Sequence, residues 1–519
     1  MSEYTNKIVK QFTKFVFPFR YDASQTDVAS QCYVSDKGAE VKLFAQFSQG
    51  ARELRQGLAD LLSIDGGNSK IADCFEINYN ARSHFGLPRR QDETMRFYAR
   101  AKDKTYYDVA ILRVALYLFE SEVGFVELET EYKSSDITDY INCNYFICEL
   151  KSGNNIFVGE RDVWNAETKT KEKVEYSFTA KELIDKVLTS VSGVKDIQRD
   201  KHPDFTEEKG IIYSYLLLDG KPNNLDDMLF HLRKNYKDSY LAHDNYSASA
   251  FNPFVHQPFE NSYWTASFNG AVNVSYLTGQ ETTDNFFNNA LLPKLRDTYY
   301  ALFLHVLHQR YALLKYIGDM GKLDRLTMDY ESMRKQLAVA NHYQAQAANL
   351  KFRAFFKMPS MVEHINDYYN LLYRSYQINQ IYDHFNKDLT SLTEICGVYV
   401  NRIRLREEKL IARRKAKVGI FVSIFGTLVA VAALLNSYWE ILEKIFGNEV
   451  KFFSAAVLIA VITLLLPIVT IIVDVVFQIK DIKKMTGDLN DELNENWMED
   501  DETRRKKARE KHAPRRRDK

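Results

Sequence analysis

Two long runs of uncharged apolar residues near the carboxyl-terminal end constrain this chain more than any other feature. Residues 418–435 (VGIFVSIFGTLVAVAALL) and residues 452–473 (FFSAAVLIAVITLLLPIVTIIV) contain no charged side chain. A helix of about 20 apolar residues is long enough to cross the hydrocarbon core of a bilayer. The sequence therefore predicts two transmembrane helices, with a pair of buried core helices as the alternative.

The charged residues around the two runs predict an orientation. Basic residues are dense over 402–417, ahead of the first run, and three lysines follow the second run over 480–484. The positive-inside rule then places both termini in the cytoplasm, as in a multi-pass protein of the inner membrane. Three acidic residues of the connecting loop could attract cations, or the loop could simply be solvated: Glu440, Glu443 and Glu449.

Small residues form a seam along the first run, at alternating spacings of four and three. Small side chains let helix backbones approach closely, and two hydroxyls in the run could face a water-filled lumen. The alternative is packing of the two runs against each other within one chain. The candidate pore-lining residues from this pattern are Gly419, Ser423, Gly426, Thr427, Ala430 and Ala433.

The segment before the first run has a helical pattern. Two helices are predicted at 291–317 and 322–356, and a third begins near Ser360 and meets no proline before the apolar run. Apolar residues between Ile378 and Ile403 alternate by four and three, which is typical of a helix packed on its neighbours. An unbroken helix over 360–435 would be about 114 Å long.

Residues 1–290 alternate between strand-like and helix-like patterns, which predicts an α/β or α+β domain around a mixed sheet. In the strand at 125–131, Val126 and Leu128 lie on one face and Glu127 and Glu129 on the other. Asn269-Gly270 predicts a hairpin with a type I′ turn. Further strands are predicted at 14–21, 106–119 and 211–218, and helices at 51–62, 180–191 and 225–236.

These boundaries divide the chain into four parts. They are a sensor domain at 1–290, a helical stalk at 291–417, a two-helix transmembrane domain at 418–478 and a charged tail at 479–519.

Signals for catalysis are poor. Gly66 to Lys70 (GGNSK) lacks the spacing of a phosphate loop and is interpreted as a surface turn. His305 and His308 have no third ligand nearby in the sequence and are interpreted as packing histidines. Three arginines around Phe85 could hold a phosphate and stack a base, with a solvated basic loop as the alternative: Arg82, Arg89 and Arg90. The chain is predicted not to be an enzyme.

Charge and cysteine content narrow the remaining classes. Lys and Arg together number 69, as do Asp and Glu, so the formal net charge is zero. A neutral chain is not expected to bind polyanions in general, and no specific nucleic-acid partner is predicted. The five scattered cysteines form no CxxC pair, which favours reduced thiols over disulfides or zinc.

This order of parts resembles the CorA family of divalent-cation channels. The family's Gly-Met-Asn at the outer end of the first span is here Leu434-Leu435-Asn436, so the resemblance carries the outer ion-binding role onto Asn436 alone. The resemblance implies a homopentamer whose first span lines the pore and whose permeant ion is a divalent cation.

Residues 117–129 (YLFESEVGFVELE) and 267–277 (SFNGAVNVSYL) resemble a divergent branch of that family, which occurs beside type III CRISPR systems. That branch implies a nucleotide second messenger, SAM-AMP, as activating ligand and membrane disruption in antiviral defence as the outcome.

Three functions remain open from the sequence. The first is an oligomeric channel opened by a ligand on the cytosolic domain. The second is a constitutive magnesium or other divalent-cation transporter. The third is a non-conducting scaffold anchored in the lipid bilayer.

Overall fold

The structure is a computed structural model. It describes residues 4–23, 26–35, 38–67, 70–99, 105–150, 155–165, 170–191, 209–240, 252–321 and 330–446. The chain divides into two compact units, one of Met1–Lys322 with Gln344–Lys387 and the other of Leu323–Tyr343 with Asp388–Lys519. The domain boundaries predicted from the sequence are not tested by this division and stay predictions.

A mixed sheet of twelve strands dominates the first unit, and it confirms the predicted α/β character. Its path runs β10-β9-β6-β7-β8-β1-β11-β14-β13-β12, with β5 also paired to β7 and β4 to β5. Among the described pairs only β11 and β14 are parallel. The strands, including the separate pair β2 and β3, are β1 (Ile8–Arg20), β2 (Cys32–Val34), β3 (Glu40–Lys42), β4 (Phe44–Gln46), β5 (Ala72–Ile77), β6 (Thr94–Tyr98), β7 (Tyr107–Phe119), β8 (Val123–Tyr132), β9 (Ile156–Asn165), β10 (Thr170–Thr179), β11 (Ile211–Leu218), β12 (Val255–Phe259), β13 (Ser262–Ser267) and β14 (Gly270–Tyr276).

The helices confirm most of the predicted helical segments. Two five-residue π-helical segments, Phe286–Ala290 and Leu295–Tyr299, interrupt the run that leads into α7. The α-helices are α1 (Gln56–Ala59), α2 (Ile137–Cys148), α3 (Ala180–Thr189), α4 (Leu225–Lys234), α5 (Glu281–Asn285), α6 (Leu291–Lys294), α7 (Tyr300–Met320), α8 (Tyr330–Ala354), α9 (Glu363–Ser375) and α10 (Ile378–Phe446).

Side chains alternate between the two faces of a sheet along a strand, and both faces of the central strands are covered by other elements. On β1, Phe15 and Phe17 belong to the main apolar core, which also contains buried residues of α2, α3 and α4. On the opposite face the β11 residue Tyr213 packs against Tyr300 of α7, with ring centroids 5.0 Å apart. The centre of the sheet is therefore sealed on both sides.

The predicted hairpin is confirmed, but its turn is not type I′. Ser267 pairs with Gly270, so the turn residues are Phe268 and Asn269, and neither has the positive φ that a type I′ turn requires. Gly270 has another role: a Cβ there would lie 2.4 Å from the carbonyl oxygen of Ile212 on the parallel neighbour. The glycine thus permits close strand approach.

Two predicted helices differ in extent. The helix predicted at 51–62 is reduced to α1 and one 3-10 turn, because the backbone of Leu54 and Arg55 pairs instead with Ser360 and Pro359. The unbroken helix predicted over 360–435 is also wrong. Gln377 has a left-handed φ of 55°, which is not helical, so α9 ends at Ser375 and α10 begins at Ile378.

No helix in the described part of the chain is both long and apolar enough to cross a membrane. The transmembrane prediction for 418–435, and the multi-pass inner-membrane location inferred from it, are therefore wrong. These residues are not a separate apolar helix but part of the 69-residue α10, which also carries the charges of 402–417. The second predicted span at 452–473 and the tail at 479–519 lie outside the described residues.

The apolar seam predicted along 378–403 is confirmed. Ile378, Phe385, Leu389 and Cys396 are buried to within 2% of full burial. In the second unit, Cys396 and Tyr399 of α10 form an apolar cluster with Met333 of α8. This part of α10 is therefore held by helix packing.

Candidate functional site in a buried charge cluster

Two of the three glutamates of β8, Glu127 and Glu129, are buried beneath the start of α7. Glu127 has no exposed surface and Glu129 is 6% exposed, so two carboxylates are held inside the protein. Lys14 of β1 is also buried, at 1%. Such burial is costly unless charges are paired and hydrogen-bonded. We name this group, together with the Arg113, Tyr117, Arg296 and Tyr300 side chains described next, the charge cluster.

The cluster is built from opposite charges on adjacent strands. The Lys14 ammonium lies 3.1 Å from Glu127 and 3.2 Å from Glu129. Arg113 of β7 approaches Glu127 from the other side, with its Nη2 2.8 Å from Oε1. The strand register explains the geometry, since Lys14 pairs across the sheet with Glu129, and Arg113 pairs with that residue from β7.

The cluster also joins the sheet to the helical layer. The Lys14 ammonium lies 4.0 Å above the centre of the Tyr300 ring at the start of α7. Arg296, in the π-helical segment just before α7, has its Nε 3.1 Å from Glu129. Because both contacts fall at one end of α7, the charges position that end of the helix on the sheet.

A tyrosine completes the coordination of Glu127. The Tyr117 hydroxyl lies 2.8 Å from Oε2 of Glu127 and 3.1 Å from Oε1 of Gln49. Both neighbours accept hydrogen bonds here, so the single hydroxyl proton is donated to one of them at a time, and the charged carboxylate attracts it more strongly. Both oxygens of Glu127 therefore have partners.

Burial and charge act against each other on the pKa of Glu127. Burial raises the pKa of this carboxyl, but the charges of Arg113 and Lys14, with tyrosine hydrogen bonds, lower it to about 2. Burial, with the charge of Arg113, lowers the pKa of Lys14. Burial also raises the pKa of the half-buried Glu76, which the Glu127 and Glu129 charges raise further. Glu127 is thus held as an anion.

This arrangement suits a structural and positioning role. Each of the two carboxylates has cationic partners within 4 Å, and these partners come from β1, β7 and the segment before α7. A buried ion pair contributes little net stability, but removing one partner leaves a costly unpaired charge. The cluster therefore favours one arrangement of β1, β7, β8 and the start of α7 over others.

A second set of contacts fixes the tip of the β7–β8 hairpin, at Glu120 to Glu122, against the helices. Lys315 of α7 lies 2.6 Å from Oε2 of Glu122, a residue with a left-handed φ of 61°. Arg353 of α8 lies 2.5 Å from Glu120. The hairpin therefore contacts α7 both at the charge cluster and at its tip. We name these tip contacts the hairpin clasp.

The two histidines of α7 are packing residues, as predicted. His308 stacks on Phe119 with ring centroids 4.1 Å apart, and its Nε2 lies 2.9 Å from Oγ of Ser121 in the hairpin clasp. His305 donates from Nε2 to the carbonyl oxygen of Ala354. Burial lowers the pKa of His305 to about 4, so its ring is neutral near pH 7.

The three arginines predicted as a ligand site differ in burial and in partners. Arg82 is buried, and its guanidinium donates to the Pro88 carbonyl oxygen at 2.7 Å and to two carbonyl oxygens of β7. Arg89 and Arg90 are exposed, and Arg90 pairs with Asp92 at 2.9 Å. These bonds tie Arg82 to the backbone, and the ligand role of the three arginines stays a prediction.

The predicted pore-lining residues lie on α10 and are exposed over Gly419, Ser423, Gly426, Thr427, Ala430 and Ala433. A Cβ added at Gly419 or Gly426 would meet open space. The Thr427 hydroxyl donates to the Ser423 carbonyl oxygen at 2.8 Å, so it is satisfied within its own helix. The pore role depended on the membrane prediction that the structure corrects.

The outer-loop residues have a different position from the predicted one. Asn436, Glu440 and Glu443 belong to the backbone of α10 rather than to a loop, while Glu449 lies outside the described residues. Over the described residues, no three His, Cys, Asp or Glu side chains are grouped to hold a metal ion. The five cysteines are free thiols, and four are buried.

Sequence reasoning recognised the alternation of β8 but missed the charge cluster. The available signal was Arg113, inside the run of apolar residues at 109–119, and Lys14, directly before the apolar residues 15–19. A charged residue on the buried face of such a strand requires a partner. Glu127 and Glu129 of β8 are the partners of these two cations.

Comparisons with known proteins add little. No family model matches the chain, and no curated protein matches it. Among solved structures, one described as "structure of the full-length CmaX protein" is 12% identical, over 54% of this chain and 92% of that chain, with a TM-score of 0.14. At that TM-score the likeness carries no argument about fold or function.

Proposed function

We propose that this chain is a non-catalytic sensor and relay protein. Its α/β unit responds to a bound ligand, and the response passes from the central sheet to α7. The observation that carries the proposal is the charge cluster, in which Lys14, Glu129 and Arg296 tie two strands to the start of the helix. A network of paired charges that joins two strands to a helix supports coupling between these elements.

One hairpin meets one helix at two separate places, which supports coupling between them. The β7–β8 hairpin contacts α7 through the charge cluster and again through Lys315 at the hairpin clasp. A shift of β7 against β8 would separate Arg113 from Glu127 and leave a buried charge unpaired. Small sheet movements are thus disfavoured unless the start of α7 moves with them.

The proposal retains only part of what the sequence suggested. A ligand-responsive α/β domain with no enzyme activity remains, and the family resemblance implies a nucleotide messenger as its ligand. Channel opening and divalent-cation transport are not included, because both depended on a pair of transmembrane helices, and the first of the two is contradicted by the structure.

The proposal includes self-association through α10. Val418, Ile420, Val422 and Ile424 are each more than half exposed, and small residues lie between them. Exposed apolar side chains gathered on one stretch favour burial against a partner, and small residues let identical helices approach closely. A second copy of the chain is the proposed partner, in agreement with the homo-oligomer that the resemblance implies.

Hydrogen exchange on the full-length chain tests the relay. Glu127→Gln removes the central charge while nearly preserving shape, and Glu131→Gln, on the same strand but partly exposed, is the control. Coupling predicts faster exchange in β8, in the hairpin clasp and along the first turns of α7 for Glu127→Gln alone. Faster exchange confined to β8 would show that the cluster is only a local packing device and would overturn the proposal.

A further inference from the structure

A surface of tyrosines and lysines lies apart from the charge cluster, where the end of α2 meets the segment that follows α4. Asn235, with a left-handed φ of 50°, ends α4 and turns the chain back over α2. Lys209 enters the same place just before β11. We name this surface the tyrosine–lysine patch, formed by Tyr145, Phe146, Lys209, Tyr236, Lys237 and Tyr240.

The rings of the patch form an open aromatic surface. Tyr240 meets Tyr145 and Tyr236 edge to face, with ring centroids 6.4 Å and 5.5 Å apart. Tyr236 is 36% exposed and Tyr240 is 47% exposed, so both keep ring surface in contact with solvent. Large aromatic surfaces of this kind offer a planar ligand a place to stack.

The backbone beneath the rings is held in place. The buried His231 donates from Nε2 to the carbonyl oxygen of Tyr240 at 2.7 Å. The Tyr236 amide donates to the His231 carbonyl oxygen at 3.1 Å, and the Asp238 amide donates to Oδ1 of Asn142 at 3.3 Å. The patch is therefore formed before any ligand arrives, which reduces the entropy cost of binding.

Two ammonium groups lie among the rings. The Lys237 Nζ lies 4.6 Å from the centre of the Phe146 ring and 5.0 Å from that of Tyr145. Within the described residues, no carboxylate forms an ion pair with Lys237. The Nζ of Lys209 does have a carboxylate partner, because it lies 3.7 Å from Oε1 of Glu149. The patch thus offers positive charge that is held chiefly by aromatic rings.

We propose that the tyrosine–lysine patch binds a planar aromatic ligand that carries a phosphate. The ring of the ligand stacks on Tyr236 or Tyr240, and the phosphate meets the ammonium groups of Lys237 and Lys209. This inference rests on the proposed sensor function, for which it supplies the site and the chemical class of the ligand. Stacking and charge recognise different parts of the ligand, so they can be tested separately.

The place of the patch in the fold suits a sensor. Lys209 stands two residues before Ile211, where β11 begins, and β11 is hydrogen-bonded to β1. In that pairing Tyr213 lies opposite Lys14, a member of the charge cluster. A ligand that moves Lys209 therefore acts one strand away from the charges that hold α7.

Calorimetric titration of the full-length chain with adenosine monophosphate tests the inference, with adenosine and inorganic phosphate as partial ligands. We expect the monophosphate to bind at least about tenfold more tightly than either part. Tyr240→Ala is expected to weaken its binding about tenfold, whereas Tyr240→Phe keeps it. Tyr106→Ala, a similarly exposed tyrosine at 49%, is the matched control.

Lys237→Met separates charge from stacking. It should weaken binding of the monophosphate while leaving binding of adenosine unchanged. The inference is overturned if the monophosphate does not bind at millimolar concentration, or if Tyr240→Ala and Lys237→Met bind it as the unmodified chain does.

The two proposals can fail separately. Absence of binding, with the exchange pattern of Glu127→Gln still reaching α7, removes only the ligand site. Binding at the patch without that exchange pattern removes the relay instead.

Discussion

The centre of the sheet and the later part of α10 place side chains in opposite ways. On β8, Glu127 is completely buried, and its charge is balanced by neighbours on other strands. On α10, Val422 and Ile424 are 64% and 55% exposed. The comparison shows that polarity alone does not decide burial: partners available in the fold do. Charges can be buried where partners meet them, and apolar residues stay exposed where the single chain provides none.

The largest expected effect is the loss of unfolding free energy when the buried Glu127 is replaced. Glu127→Ala leaves Lys14 and Arg113 short of a counter-charge, and should reduce the free energy of unfolding by about 3–5 kcal/mol. Urea unfolding followed by circular dichroism measures it. Glu131→Ala, on the same strand, should cost less than about 0.5 kcal/mol. Equal losses in the two variants would mean that the cluster has no special energetic role.

Low pH tests the same buried carboxylate, and the expected loss of unfolding free energy is somewhat smaller. The Glu127 pKa is about 2 in the folded chain and 4.5 when unperturbed, so its stabilisation is present above about pH 4.5 and is lost as pH falls towards 2. The shift corresponds to about 3 kcal/mol.

The measurement is urea unfolding of the unmodified chain and of Glu127→Gln at a series of pH values. The difference in unfolding free energy between them should narrow steadily below about pH 4.5. A difference that stays constant down to pH 3 contradicts an anionic, charge-stabilised Glu127.

The exposed side of the comparison predicts the smallest effect on the single chain. Val422→Lys should change the free energy of unfolding by less than about 0.5 kcal/mol, because the side chain has little to lose in contacts. It should weaken self-association at least about tenfold, which equals about 1.4 kcal/mol.

Sedimentation of the full-length chain over a range of concentrations measures that association. Val34→Lys, at a position 72% exposed on β2, is the matched control and should leave association unchanged. If both variants associate as the unmodified chain does, α10 is not the self-association surface.

Local patterns in the sequence were enough to predict β7, β8, β11 and the hairpin of β13 and β14, because alternation and turn residues are short-range signals. They were not enough for the charge cluster. Lys14 and Glu127 lie 113 residues apart, and only the pairing of β1 with β8 brings them together.

The errors have similar causes. Glutamine is an ordinary helix residue, so nothing in the sequence marked Gln377 as the end of α9. The run at 418–435 was judged by its own hydropathy, whereas the structure makes it part of a longer helix that also carries many charges. The sequence also does not show that the Arg82 guanidinium donates to three backbone carbonyl oxygens, because those partners come from a neighbouring loop and from β7.

The left-handed backbone of Gln377 makes the junction of α9 and α10 a break between two helices. One straight rod from Glu363 onward would transmit any twist undiminished, whereas a joint with its own pair of torsion angles can absorb rotation. An L-residue held in this conformation stores about 1 kcal/mol relative to the right-handed form. Any state of the molecule in which Gln377 adopts the right-handed helical conformation would recover that energy. The strain at this residue therefore favours a state in which α9 and α10 form one continuous helix.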